Sequence, residues 1–208
     1  MRTFYTILFD LFIGTVAAQN FSGTIEGSLW LNGQSFENNW YFDGKGNACY
    51  QLIFEHEERS NDVRLILDGT TGKLTVVTTS NGQTSHYSLH ADSLSADGAL
   101  DMQFVQVGAG EKFLERPTHK YQCDDHEHKG AFWMDSSIDL DLSAFKDFLK
   151  EDPAFTFIAE NNVDGFPLQV VITDAMGNLK RSFKVTDIKS DLPSEVFTVP
   201  SGSTKLEY

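Results

Sequence analysis

From Phe21 onward apolar and polar residues alternate with a period of two, the mark of strands with one covered face. In FSGTIEGSLWL, the side chains of Phe21, Ile25, Leu29 and Leu31 share a face opposite Ser22, Thr24, Glu26 and Ser28. Asn32-Gly33 then predicts a two-residue hairpin, because both central positions of a type I′ turn need positive φ. Phe36, Trp40 and Phe42 mark the return strand. Turn signals recur at DGKGN (43–47), ERSND (58–62), DGTTG (68–72), NG (81–82) and DG (97–98). The runs between them, ACYQLIFEHE, VRLILD, KLTVVTTS, QTSHYSLHAD and ALDMQFVQV, are β-branched and aromatic and of strand length. Such even spacing predicts an antiparallel meander, since parallel pairs would need crossovers of a dozen residues or more.

One segment departs from this period. DLSAFKDFLKEDP places Leu142, Phe145, Phe148 and Leu149 on one helical stripe, with Asp141 or Ser143 to cap its start and Pro153 to end it. A short amphipathic helix is expected over 143–151. Beyond it, FPLQVVITD and LKRSFKVTDIK read as a hairpin around AMGN, and SEVFTVP as a last short strand. The fold class is therefore mainly β (α+β): one twisted antiparallel sheet with one lid-like helix, and no repeat or low-complexity linker.

The first residues break the pattern differently. FYTILFDLFIGTVAA is apolar after a single basic residue and ends in the small residues Val16 and Ala18. This predicts a signal peptide over 1–18, cleaved after Ala18, and a single β-rich domain over 19–208 in the periplasm or secreted. The alternative is a buried N-terminal strand or helix, and Asp10 within the run fits an export signal poorly. The run is shorter than the roughly 20 apolar residues of a membrane-spanning helix. No stable membrane insertion is expected.

Charge narrows the partners. The chain carries 16 basic and 30 acidic residues, a net charge of −14, and the leader would remove Arg2 and Asp10 together without changing it. A polyanion repels phosphate backbones and anionic lipid surfaces, so nucleic acid is not an expected partner. The two cysteines, Cys49 and Cys123, leave two readings open: a disulfide closing a long loop, worth about 3–5 kcal/mol, or two buried thiols behaving as small apolar groups.

Candidate chemistry concentrates in Cys123-Asp-Asp-His-Glu-His128. On one strand Asp124, His126 and His128 would share a face, a weak metal-ligand set. The run is denser than known ligand spacings, and no HExxH, CxxC or second Cys/His cluster accompanies it. A solvated hairpin tip between HKYQC and AFWMD is the favoured reading. His86 and His90 stand four apart on one face of an expected strand and His56 lies among glutamates, with no nucleophile motif beside them. No cofactor is indicated, and the chain reads as non-enzymatic. Of the 17 phenylalanines, Phe4, Phe9 and Phe12 fall in the leader; the 14 that remain, with Trp30, Trp40 and Trp133, are more informative. They exceed what one sheet face needs, and either fill a core or line a cavity for an apolar ligand. The cavity candidates are Trp40, Phe54, Trp133, Phe145, Phe148 and Leu149.

THKYQCDDHEHKGAFWMDSSIDLDLSAFKDFL (118–149), DGFPLQVVITDAMGNLKRSFKVTDIK (164–189), EVFTVPSG (195–202) and VRLILDGTTGKLTVV (63–77) resemble, in order and spacing, the bacterial family called domain of unknown function 4412. That family is usually placed with the lipoprotein carriers LolA and LolB. The resemblance implies an incompletely closed antiparallel barrel, with one or two short helices over its hollow and acyl chains held inside in the relatives. It implies framework or cavity roles for Tyr121, Cys123, Trp133, Phe145, Phe148, Leu149, Pro167 and Leu168, and carries no catalytic residue. The expected function is to bind or carry a hydrophobic, lipid-like molecule. The alternative is an envelope or secreted interaction protein with a filled core and no ligand.

Overall fold

The computed structural model describes residues 21–31, 33–56, 59–90, 103–124, 127–140, 163 and 165–207. The strands are β1 (Ser22–Leu31), β2 (Gln34–Asp43), β3 (Ala48–His56), β4 (Arg59–Asp68), β5 (Lys73–Ser80), β6 (Gln83–His90), β7 (Gln103–Ala109), β8 (His119–Asp124), β9 (His128–Asp135), β10 (Phe166–Asp174), β11 (Leu179–Lys189) and β12 (Thr204–Lys205). They form one 12-stranded sheet in the order β12-β6-β5-β4-β3-β2-β1-β11-β10-β9-β8-β7. The first six strands are the predicted meander, and β1–β2 turns over two residues, with Leu31 opposite Gln34 and Gly33 at φ 89°.

The meander stops after β6. Its neighbour in sequence, β7, lies at the opposite edge and pairs with β8. The two halves join where β1 pairs antiparallel with β11. β6 and β7 stand ten interstrand steps apart, about 48 Å along the sheet at ~4.8 Å per step. The connection 91–102 reaches at most about 45 Å, so the sheet must curl. Ring contacts show the curl directly. Trp40 on β2 and Phe166 on β10 are separated by three interstrand steps, yet their ring centroids lie 5.8 Å apart. The sheet is curved and open, not a closed barrel.

The concave inner face carries the main core. Ile25, Leu29, Trp40, Phe42, Leu67, Leu74, Phe132, Met134, Leu168, Val170 and Phe183 belong to one buried cluster, and Ile138 folds back onto it after β9. The outer face carries a smaller cluster, Tyr41, Cys49, Ile66 and Val77, covered by Val196 with Leu192 and Phe197. Those last residues belong to a 3-10 turn, Ser194–Phe197, and its flanks. The expected strand at SEVFTVP is therefore corrected. Pro193 and Pro200 each remove a backbone donor, and Val196 is worth more seated on the outer cluster than exposed on a ladder. The chain then adds β12 parallel to the edge of β6. Among the described residues this 3-10 turn is the helical element, and it lies on the outer face; the helix expected over 143–151, and the leader 1–18, fall outside the described residues.

Two turns use one device. Asp43-Gly-Lys-Gly-Asn47 and Asp174-Ala-Met-Gly-Asn178 share the pattern D-x-x-G-N. Asp43 accepts from Lys45 N (2.7 Å), Asn47 N (3.0 Å) and Asn47 Nδ2 (2.7 Å). Asp174 accepts from Met176 N (3.0 Å), Asn178 N (2.8 Å) and Asn178 Nδ2 (2.9 Å). Its bonds to Asn178, ahead of the Lys180 ammonium, hold the Asp174 carboxyl down at about 2.

A buried ion pair fixes the end of β9. Asp135, only 1% exposed, accepts from Arg116 Nε and from Ser137 N (2.9 Å) and Oγ (2.7 Å). Burial pushes the Asp135 carboxyl up, but the bonds from Ser137 and Arg116 outweigh it and hold the group below its ordinary value. A depressed carboxylate contributes stability above its unfolded pKa, about 3.9, and loses it as pH falls through the folded value. Arg116→Ala should cost about 1–2 kcal/mol at pH 7, at the low end because Arg116 is partly solvated and Ser137 still donates. The difference from wild type should shrink below about pH 4; urea denaturation of both proteins at pH 7 and pH 3 measures it.

Candidate functional site on the inner wall of the sheet

Strand alternation decides which candidates face the hollow. On β2, Phe36, Asn38, Trp40 and Phe42 point inward and Glu37, Asn39 and Tyr41 outward, as the two clusters that hold Trp40 and Tyr41 show. Trp40 is at the centre and fully buried. Its ring stacks on Phe42 at 6.2 Å, tilts against Tyr50 at 4.5 Å and meets Phe166 edge-on. Phe166 in turn meets Phe183 at 6.2 Å. This end of the wall is filled by its own rings, so Trp40 is core.

Phe54 is placed differently. It is half-buried and meets Phe36 edge-on at 6.0 Å. Phe36, Leu52, Val63 and Tyr87 are apolar inner-face side chains packed against the core yet only partly covered, and Phe54 joins them through Phe36. They run across β2, β3, β4 and β6, since Phe36 and Leu52 flank Asn38, Leu52 pairs with Val63, and Tyr87 pairs with Val76. Phe54 thus lines an incompletely covered part of the wall.

Trp133 is corrected: it faces outward. Its neighbours Phe132 and Met134 both belong to the inner cluster, so alternation turns the indole to the outer side. Lys120 Nζ lies 4.9 Å from the ring centroid, and Phe113, which also packs against the inner cluster, meets the indole edge-on at 6.0 Å. Phe145, Phe148 and Leu149 lie outside the described residues.

Cys123 to His128 is a hairpin. β8 ends at Asp124 and β9 begins at His128, with Asp124 opposite Lys129 and Cys123 opposite Gly130. The turn undoes the strand periodicity assumed for a ligand set. His128 falls on the face of Gly130 and Cys123, Asp124 on the other; His126 lies outside the described residues. Among the described residues no group of three His, Cys, Asp or Glu side chains could hold a metal ion.

The cysteines are not bridged. Cys49 lies in the outer cluster and Cys123 in the inner one, so the sheet itself separates them. Burial pushes the Cys49 thiol up to about 12, leaving it protonated and a poor nucleophile at neutral pH. Beside it the Tyr41 hydroxyl, raised to about 12 mainly by burial, donates to Gln51 Oε1 at 2.8 Å. Gln51 Nε2 donates to Asp62 at 3.1 Å, and Arg64 stands 3.4 Å from the same carboxylate. His86 Nδ1 is 2.8 Å from Ser203 Oγ, and the His86 carbonyl accepts from Leu206 N at 2.8 Å. That histidine therefore helps seat the C-terminal segment. The side chains of His56 and His90 are outside the described set.

One inner-face residue escaped the sequence reading. Asn38 is 1% exposed, between Phe36 and Trp40 along the strand and between Gly27 and Leu52 across it. Neither Oδ1 nor Nδ2 has a hydrogen-bond partner. Its signal was present: FENNWYF puts a polar residue where the inward period of Phe36, Trp40 and Phe42 calls for an apolar one.

Residues 21–203 match the family described as "Domain of unknown function (DUF4412)". The chain belongs to this family. A crystal structure of an uncharacterized conserved protein from Thermus thermophilus is similar, with a TM-score of 0.51 at 12% identity over 90% of this chain and 91% of that one. At that identity the likeness shows the fold alone. PNGF-II, in C2 and P21 space groups, gives a TM-score of 0.45 at 12% and 11% identity, over 88% and 89% of this chain. The chain spans less than a third of PNGF-II, 30% and 31% of the two structures. No curated protein matches the chain.

Proposed function

We propose that this member of the DUF4412 family is an exported, non-enzymatic protein that binds or carries one hydrophobic, lipid-like molecule against the inner wall of its open sheet, in the manner of the LolA/LolB-like carriers it resembles. The observation that carries this reading is the incompletely covered apolar surface of Phe36, Leu52, Val63 and Tyr87, packed against the buried core and extended by Phe54 through its contact with Phe36. An acyl chain laid on such a surface contributes about 0.8 kcal/mol per buried methylene, so few polar groups are needed. Export would follow from the leader over 1–18, to the periplasm or outside the cell.

The test is extraction of the natively expressed protein followed by mass spectrometry, with diphenylhexatriene fluorescence as a second readout. A co-purifying lipid-like molecule and dye enhancement are expected, the latter reduced several-fold in Phe54→Ala. Protein with neither lipid nor enhancement would overturn the proposal. The solid packing of Trp40, Phe42, Phe166 and Phe183 favours the second reading, an envelope or secreted interaction protein with a filled core, and that negative result would select it.

A further inference from the structure

We infer that a polar floor beside the apolar wall holds the head of the bound molecule, and that the ligand class is an amphiphile with an alkyl tail and an uncharged, hydroxyl-rich head. This rests on the carrier reading and narrows it. A cavity of about 620 Å³ lies against the β5–β6 hairpin, lined by Thr78, Ser80, Gln83, Ser85 and Thr204 and edged by glycines. Ligand pockets have volumes of this order. Strand register places these side chains on the inner face. Thr78 lies opposite Val63 and Ser85, Ser80 opposite Asn61 and Gln83, and Thr204 opposite Ser85, and Val63 belongs to the inner wall.

The wall changes character along adjacent rows. One runs from Leu52 through Val63, Thr78 and Ser85 to Thr204, the other from Phe54 through Asn61 and Ser80 to Gln83. Each is apolar at β3 and polar at β6. Val63 and Thr78 stand on neighbouring strands, ~4.8 Å apart, so a tail lying on Leu52, Phe54 and Val63 brings its head straight onto the floor. Ser80 Oγ donates to Asn61 Oδ1 at 2.6 Å. The hydroxyls of Thr78, Ser85 and Thr204 and the Gln83 amide hold no hydrogen bond to another side chain among the described residues, and stay available to a ligand. Hydroxyls and carboxamides both donate and accept, which matches a head made of alcohols. Among the described residues no ionisable side chain lines the cavity. A phosphate or carboxylate would lose water there without gaining a counter-charge, in a chain of net charge −14.

Calorimetric titration of the full chain with decyl glucoside and with decyl phosphate, each below its critical micelle concentration, tests the assignment; diphenylhexatriene serves as a probe without a head. Wild-type protein should bind the glucoside about tenfold more tightly than the phosphate, about 1.4 kcal/mol. That comparison needs no variant. Thr78→Val combined with Ser85→Ala removes floor hydroxyls with little change of shape. The pair should weaken glucoside binding about tenfold and hold diphenylhexatriene within about twofold. Three results would remove the floor as the head site while leaving the carrier reading intact: phosphate affinity equal to or above that of the glucoside, glucoside affinity unchanged by the double substitution, or dye binding without glucoside binding. Failure of wild-type protein to bind the dye or either amphiphile would overturn both.

Discussion

Trp40→Ala should destabilise the protein by about 4 kcal/mol, the range found when a fully buried aromatic is truncated. The ring has no exposed surface and touches Phe42, Tyr50 and Phe166, which come from three different strands. Phe166 lies across the curl, so its contact with Trp40 ties the two halves of the sheet together. Truncation opens a void lined by stiff rings and backbone, which collapse poorly. Against a typical total stability of about 5–15 kcal/mol, such a loss leaves little margin. Equilibrium denaturation by guanidinium should show a lower midpoint with an unchanged slope. A cost below about 1 kcal/mol would mean that the two halves do not meet through this ring.

Gly165→Ala is expected to cost about 3 kcal/mol, from two sources of similar size. Gly165 holds φ 99°, a conformation that L side chains rarely adopt. A Cβ there would also stand 2.3 Å from Asp135 O and 2.8 Å from Ser136 Cα. These are backbone atoms, locked by the turn that carries the Asp135–Arg116 pair, so they cannot swing away. Melting should fall by about 6–12 °C for a chain of this size. Gly82→Ala separates the two sources. It shares a positive φ of 74° but has nothing within 4 Å of the added atom, and should cost about 1 kcal/mol. Equal losses at both positions would remove the close approach as a cause.

Much of the architecture was legible because strand alternation and turn chemistry are local. The six-strand meander, the hairpin at Asp124–His128 and the AMGN hairpin each need only neighbouring residues to specify them. The β1–β11 seam was not legible, because Thr24 and Lys189 are brought together only by the whole sheet. Asp97-Gly98 suggested that β7 should follow β6, but no local signal says which edge a strand will join. The tryptophans show where periodicity loses its force. Phe132, Trp133 and Met134 are all apolar, so the pattern could not say which of them faces inward. The buried pairing of Arg116 with Asp135 was invisible for the same reason as the seam. Asn38 was the opposite case: a visible local violation whose meaning needed the face it sits on.

The seam has a consequence for how the molecule is made. A ribosome finishes β1 through β6 long before it delivers β11, which leaves the outer ladder of β1 unsatisfied during most of synthesis. Such a bare strand edge invites pairing with another nascent chain. Holding chains apart until the C-terminal third has emerged should therefore raise the yield of soluble product, and diluting a denatured stock slowly should serve the same end in vitro.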